Sequence, residues 1–164
     1  MSCTVEKASC PRELDPNALG DHIDQLFRAA WALCGSRHDA EDLVQETFVN
    51  VLKRPRWLRK DNEIGYLLRA LRNTYSSRYR VAAQRPIVHQ LIEDEMLPAH
   101  EDEHSSREIM EAIASAPAHY RDAVIAVDLL GMSYREAARW LGSQEATITT
   151  RLHRGRHHVA LKLA

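Results

Sequence analysis

An all-α fold of two small helical domains, joined by a flexible acidic linker, is what this 164-residue chain predicts. Three observations carry that expectation. Apolar residues recur at spacings of three and four almost throughout; no alternating strand pattern or internal repeat occurs; and one stretch, PAHEDEHSS at residues 98–106, has no apolar periodicity at all. With 45% hydrophobic and 27% charged residues the chain is globular, and its 6% aromatic content suits small bundles built on Leu, Ala and Ile.

The first domain is expected over residues 18–85, after a tail at 1–17. Leu19, Ile23, Leu26, Phe27, Ala30, Leu33 and Cys34 form one helical stripe that Gly35 and Ser36 end. A second helix begins near Asp39, with acidic residues in the first turn where the helix dipole favours them. Its stripe is Ala40, Leu43, Val44, Thr47, Phe48, Val51 and Leu52, and Pro55 stops it. A basic loop from Arg56 to Asn62 leads into a third helix, Glu63 to Ala83, with Ile64, Leu67, Leu68, Leu71 and Tyr75 inward. The linker is placed at 86–106, with a short amphipathic piece at Ile87 to Leu97.

The second domain is expected over 107–164. Ile109 and Ile113 mark one helix, broken at Pro117. Tyr120, Ala123, Val124, Val127 and Leu130 mark the next, with Gly131 as its cap. Ser133 and Glu136 form a capping box for a third helix that Gly142 ends, and Ser143 caps the last. The segment SYREAARWLGSQEATITTRLHRGR meets the demands of a helix-turn-helix: small Ala138 at the crossing, Gly142 where the turn needs positive φ, and buried Ile148 and Leu152 on the second helix. That helix presents Gln144, Glu145, Thr147, Thr149, Thr150, Arg151, His153 and Arg154 outward, with hydroxyls and arginines suited to phosphates and base edges.

Charge sharpens the reading. Lys/Arg against Asp/Glu number 4 and 9 over residues 1–52, 10 and 2 over 53–85, 2 and 10 over 86–131, and 6 and 2 over 132–164. The net charge of −1 therefore hides two basic blocks, each a footprint for a polyanion. Around the third helix, Trp57, Tyr66, Tyr75 and Tyr79 are candidate stacking groups for unpaired bases, Tyr66 the better one because it leaves the apolar stripe. The second helix instead offers an acidic face, Asp39, Glu41, Asp42, Gln45 and Glu46, suited to a protein partner or simply to solvent.

Several classes are disfavoured. No phosphate loop, zinc-protease pair or CxxC motif occurs, so an enzyme is not expected and no cofactor or metal is assigned. His157 and His158 beside His153 could form a metal face, though a DNA-facing or solvent role is the simpler account. Cys3 and Cys10 could form a redox pair or join a metal site, though reduced thiols in a tail are the simpler account, and Cys34 reads as a small core residue. With no membrane-length apolar run and no secretion signal, a cytoplasmic place is the default. The residues alone leave three readings open: a DNA-binding transcription protein that also engages a protein partner, a stand-alone helix-turn-helix regulator with a dimerisation or sensing domain, and a pure protein-interaction module.

DAEDLVQETFVNVL (39–52), YLLRALRNTYSSRYR (66–80) and the helix-turn-helix segment (133–156) resemble, in order and spacing, three motifs of bacterial sigma factors of the extracytoplasmic-function group. The resemblance implies region 2 and region 4 domains, core RNA polymerase and promoter DNA as partners, and often an anti-sigma factor. It implies that Asp39, Asp42, Gln45 and Glu46 face the coiled coil of the polymerase largest subunit, and that region 4 meets the flap. Trp57, Arg59, Lys60, Asn62, Tyr66, Arg69, Asn73 and Arg80 would serve the −10 element, and Thr147, Thr149, Thr150, Arg151, His153 and Arg154 the −35 element. The acidic linker would mimic nucleic-acid charge near the polymerase channel. The chain departs from the group's usual residues at Tyr66 (Trp), Ala146 (Gly), Thr149 (Lys or Arg) and Gly155 (Ala). The Thr149 change puts the −35 sequence in doubt, and Gly155 is expected to loosen the distal part of the last helix.

Overall fold

A computed structural model describes residues 12–53, 57–58, 63–84 and 101–164. Among them a 3-10 turn, Pro16–His22, leads into α1 (Ile23–Cys34), α2 (Arg37–Leu52) and α3 (Glu63–Gln84), followed by α4 (Glu101–Ala114), α5 (Ala118–Val124), α6 (Tyr134–Leu141) and α7 (Glu145–Leu163). None of these helices is long and apolar enough to cross a membrane. The piece expected at Ile87 to Leu97, and Cys3 and Cys10, lie outside the described residues.

Local chemistry sets the boundaries. Gly35 adopts φ 74° and ends α1; Ser36 then accepts a hydrogen bond from the Asp39 amide at 3.3 Å and starts α2 two residues earlier than expected. Pro117 starts α5, which continues as a π-helical segment, Ile125–Leu129, before Gly131 at φ 65°. The capping box at Ser133 forms as expected: Oγ accepts from the Glu136 amide at 3.3 Å, and the Glu136 carboxylate accepts from the Ser133 amide at 2.9 Å. Gly142 turns left-handed at φ 61°.

Four expectations change. The chain is not free of strands, because β1 (Arg12–Glu13) and β2 (Trp57–Leu58) pair antiparallel, Arg12 opposite Leu58. Residues 101–106, assigned to the linker, already belong to α4. Ile23 and Leu52, assigned to core stripes, are exposed, since each sits at a helix end beyond the packed turns; Ala29 and Ala32 are buried instead. Gln144, not Ser143, occupies the N-cap of α7, and it makes no side-chain cap bond.

The largest consequence concerns the relation of the halves. α1, α2 and α3 pack as a bundle around Leu26, Leu43, Leu67 and Leu71, all fully buried. The same cluster continues through Met110, Ile113, Val124, Ile125 and Leu152 of the second half. α4 lies directly on α1, and the Ala114 methyl closes on Gly35. Arg72 of α3 meets Asp122 of α5 through Nε and Nη2, at 2.9 and 2.8 Å. Arg121 stacks over Tyr75, 5.1 Å from the ring centre, and donates to the Ala114 carbonyl at 3.2 Å.

Candidate nucleic-acid interface

The helix-turn-helix is built from α6 and α7. Ala137 and Ala138 bring α6 close, Ile148 of α7 fills the contact completely, and Ala126 closes it from below. Small residues on one side and a β-branched residue on the other let the axes cross tightly. Arg135 and Glu145 bridge the two helices at 3.5 Å across the turn. Glu136 has its carboxyl held below the ordinary range by its hydrogen bonds to Ser133.

This frame sorts the six residues expected on the recognition helix onto two sides. Thr147, Thr150, Arg151 and Arg154 line a shallow groove that His119 and Tyr120 of α5 close. Thr149 and His153 line a second one with Tyr134 and Arg156. Thr149, Thr150, His153 and Arg154 are exposed, while Thr147 and Arg151 are partly covered. The Thr149 and Thr150 hydroxyls donate to the carbonyls one turn back, at 3.1 and 3.2 Å, so their oxygens remain acceptors. Arg156 is held by Asp128 in a two-pronged pair at 3.0 and 2.6 Å.

Arg154 has a partner that sequence reading missed. Its Nη1 donates to the Tyr120 hydroxyl at 3.0 Å, and its guanidinium carbon sits 5.9 Å from the centre of that ring. Tyr120 was expected simply as an inward helix residue. Gly155 is likewise not a loose point. It is buried, and a Cβ there would come 2.5 Å from Val124 Cγ2 and 2.9 Å from the Tyr120 carbonyl oxygen. Gly155 thus allows α7 to press against α5, which corrects the expectation of a loosened helix.

In the first half, Tyr66 and Arg69 border a groove of about 550 Å3 whose other wall is Met132, Glu136, Arg139 and Trp140. Asn73 and Arg80 are exposed, Arg80 donating to the Ser76 carbonyl at 3.3 Å. Trp57 contributes its backbone to β2. Arg59, Lys60 and Asn62 lie outside the described residues. On α2, Asp39, Asp42 and Gln45 are exposed. Glu46, expected on the same free face, is instead tied to Arg78 of α3 at 2.5 Å. His38 stands 3.9 Å from Asp42. No cluster of three or more metal-binding side chains occurs among the described residues. His158 instead meets the Ser115 hydroxyl at 3.0 Å.

Comparison with known proteins accords with this layout. Residues 19–85 match the Sigma-70 region 2 family and residues 106–159 the Sigma-70 region 4 family. The chain is 34% identical over 159 residues to the ECF RNA polymerase sigma factor SigE of Mycolicibacterium smegmatis, an alignment covering 87% of this chain and 59% of that protein. It is 29% identical over 142 residues to the ECF RNA polymerase sigma factor SigM of Mycobacterium tuberculosis, covering 85% of this chain and 71% of the other. The fold is shared with the sigma factor RpoE in its complex with the anti-sigma factor NepR from Bartonella quintana: TM-score 0.65, 23% identity, 91% and 98% of the two chains. It is shared also with CnrH in complex with the cytosolic domain of CnrY: TM-score 0.60, 20% identity, 90% and 85%.

Proposed function

We propose, from the premise that this chain belongs to the sigma-70 family and carries its regions 2 and 4, that it is a sigma factor of the extracytoplasmic-function group. In this reading it binds core RNA polymerase in the cytoplasm, recognises −35 and −10 promoter elements, and supports promoter opening. One observation carries the proposal: a well-capped helix-turn-helix with an exposed Thr/Arg/His face follows, on the same chain, a bundle with an acidic α2 face and a basic α3.

The chemistry needs no catalytic residue. The α7 face, with Thr147, Thr149, Thr150, Arg151, His153 and Arg154, reads duplex −35 DNA through base edges and phosphates. Trp57, Arg59, Lys60, Asn62, Tyr66, Arg69, Asn73 and Arg80 serve the −10 element, where captured bases offset an unstacking cost of roughly a few kcal/mol per base. Joining both contacts in one chain makes the second effectively intramolecular, so two weak contacts sum to a useful affinity. Asp39, Asp42 and Gln45 present the polymerase-facing surface, and Glu46 joins it by exchanging Arg78 for the partner. An anti-sigma protein is a further partner; the RpoE and CnrH complexes with NepR and CnrY support it.

Charge reversal at Asp42, an exposed position outside every buried pair, tests the polymerase contact. Asp42→Arg is expected to abolish co-elution with core polymerase in gel filtration while leaving thermal unfolding unchanged. Co-elution equal to wild type would remove α2 from the interface. A wild-type chain that binds duplex DNA tightly yet never joins core enzyme would favour a stand-alone regulator.

A further inference from the structure

We propose that Tyr120, which lies outside the helix-turn-helix, is a positioning residue that holds Arg154 as a clamp for a DNA backbone phosphate. The proposal rests on the sigma reading and adds to it a residue and a division of labour on α7.

The geometry is specific. A free arginine side chain loses rotamer freedom when it binds, which weakens the contact. Here the Tyr120 hydroxyl accepts from Nη1 at 3.0 Å, and the ring lies near the guanidinium at 5.9 Å. Tyr120 is itself fixed. Its amide donates to the Pro117 carbonyl at 2.9 Å, and the His119 ring meets it edge-on at 4.2 Å. Gly155, next to Arg154, sets the spacing: without a Cβ, α7 approaches α5 closely enough for this contact. One guanidinium N–H is used by Tyr120, and the remaining donors stay available to a ligand.

The ligand is a phosphate rather than a base edge for two reasons. Base contacts come from the first residues of a recognition helix, whereas Arg154 lies nine residues beyond Glu145, roughly 13 Å along the axis. Arg154 also sits on the flank nearest α5, in a groove shared with Thr147, Thr150 and Arg151, where a backbone would pass beside the helix.

The test uses full-length protein bound to core polymerase, with a duplex that the wild-type complex selects from a pool randomised in the upstream element. Affinity is measured against salt for wild type, Tyr120→Phe, Arg154→Ala and the double variant. Tyr120→Phe keeps the ring and removes only the acceptor. It is expected to weaken binding about three- to tenfold, by the same factor for duplexes with altered upstream bases. Arg154→Ala should weaken it further and lower the salt slope by roughly 1. In the Arg154→Ala background, Tyr120→Phe should have no further effect, an outcome that a merely structural tyrosine would not give. Wild-type affinity in Tyr120→Phe, an equal loss in both backgrounds, or a loss at Arg154 that depends on base identity would each overturn the proposal. A wild-type complex that selects no duplex would sink the sigma reading itself, and the clamp with it.

Discussion

At the scale of single residues, Cys34 shows how packing changes chemistry. It ends α1 beside Gly35, where the second half closes on the first. Burial pushes its thiol from 9.0 to about 11, Asp39 adds to the rise, and Arg78 and Arg121 oppose it. A raised thiol favours the protonated form in the folded state. Its contribution to stability is therefore complete below pH 9 and fades as pH climbs towards 11. In a variant with Cys3 and Cys10 replaced by Ser, iodoacetamide should modify Cys34 at pH 8 at least ~100-fold more slowly than a free thiol, the ratio that two units imply. Modification at the free-thiol rate would contradict the buried assignment. The positive-φ glycines and the Ser133–Glu136 box were legible in the sequence, because their causes lie within a few residues. Arg154 with Tyr120, 34 residues apart, and Glu46 with Arg78, 32 apart, were not, because only folding brings them together. Gly155 was misread for the same reason: its role depends on the α5 backbone.

Among the elements, α6 is the one whose stability depends most visibly on its cap. Eight residues are too few to hold a helix in water without tertiary support, so the capping box and the seat of Ala137 and Ala138 against Ile148 decide whether the turn is formed. Ser133→Ala is expected to cost about 1 kcal/mol in urea unfolding at pH 7. The cost should shrink on acidification. Glu136 has its carboxyl lowered from 4.5 by Ser133, so the stability it contributes is present above that value and lost as pH falls through the lowered one. An equal penalty at pH 7 and pH 3 would show that the carboxylate takes no part. Periodicity located α1 to α3 and the helix-turn-helix, since each buries one stripe. It failed for the 101–106 turn of α4, whose acidic composition resembles a linker, and for the β1–β2 pair, too short to show alternation.

For the whole molecule, the sequence suggests two small helical domains joined by a flexible acidic linker, whereas one apolar cluster runs through both halves. Such continuity predicts a single cooperative unfolding transition. Asp122 is nearly buried and Arg72 about a third exposed, so their pair is only partly screened. Asp122→Ala should lower stability by about 1–2 kcal/mol, seen as a lower urea midpoint. An unchanged midpoint would mean that the other contacts between the halves hold them together without this pair. The resemblance to sigma factors accords with the family matches at residues 19–85 and 106–159, but the way the halves pack was out of its reach, because Arg72 and Asp122 are 50 residues apart and neither breaks a helical pattern. In the proposed function these surfaces together start transcription. The most direct measurement is transcription in vitro by core polymerase with and without the purified chain, on a promoter selected by the complex, with permanganate mapping of unpaired thymines. New transcripts and reactive thymines at the −10 element are expected only when the chain is present. Transcripts and strand opening identical with and without it, under conditions where the chain is folded, would mean that these surfaces do not start transcription.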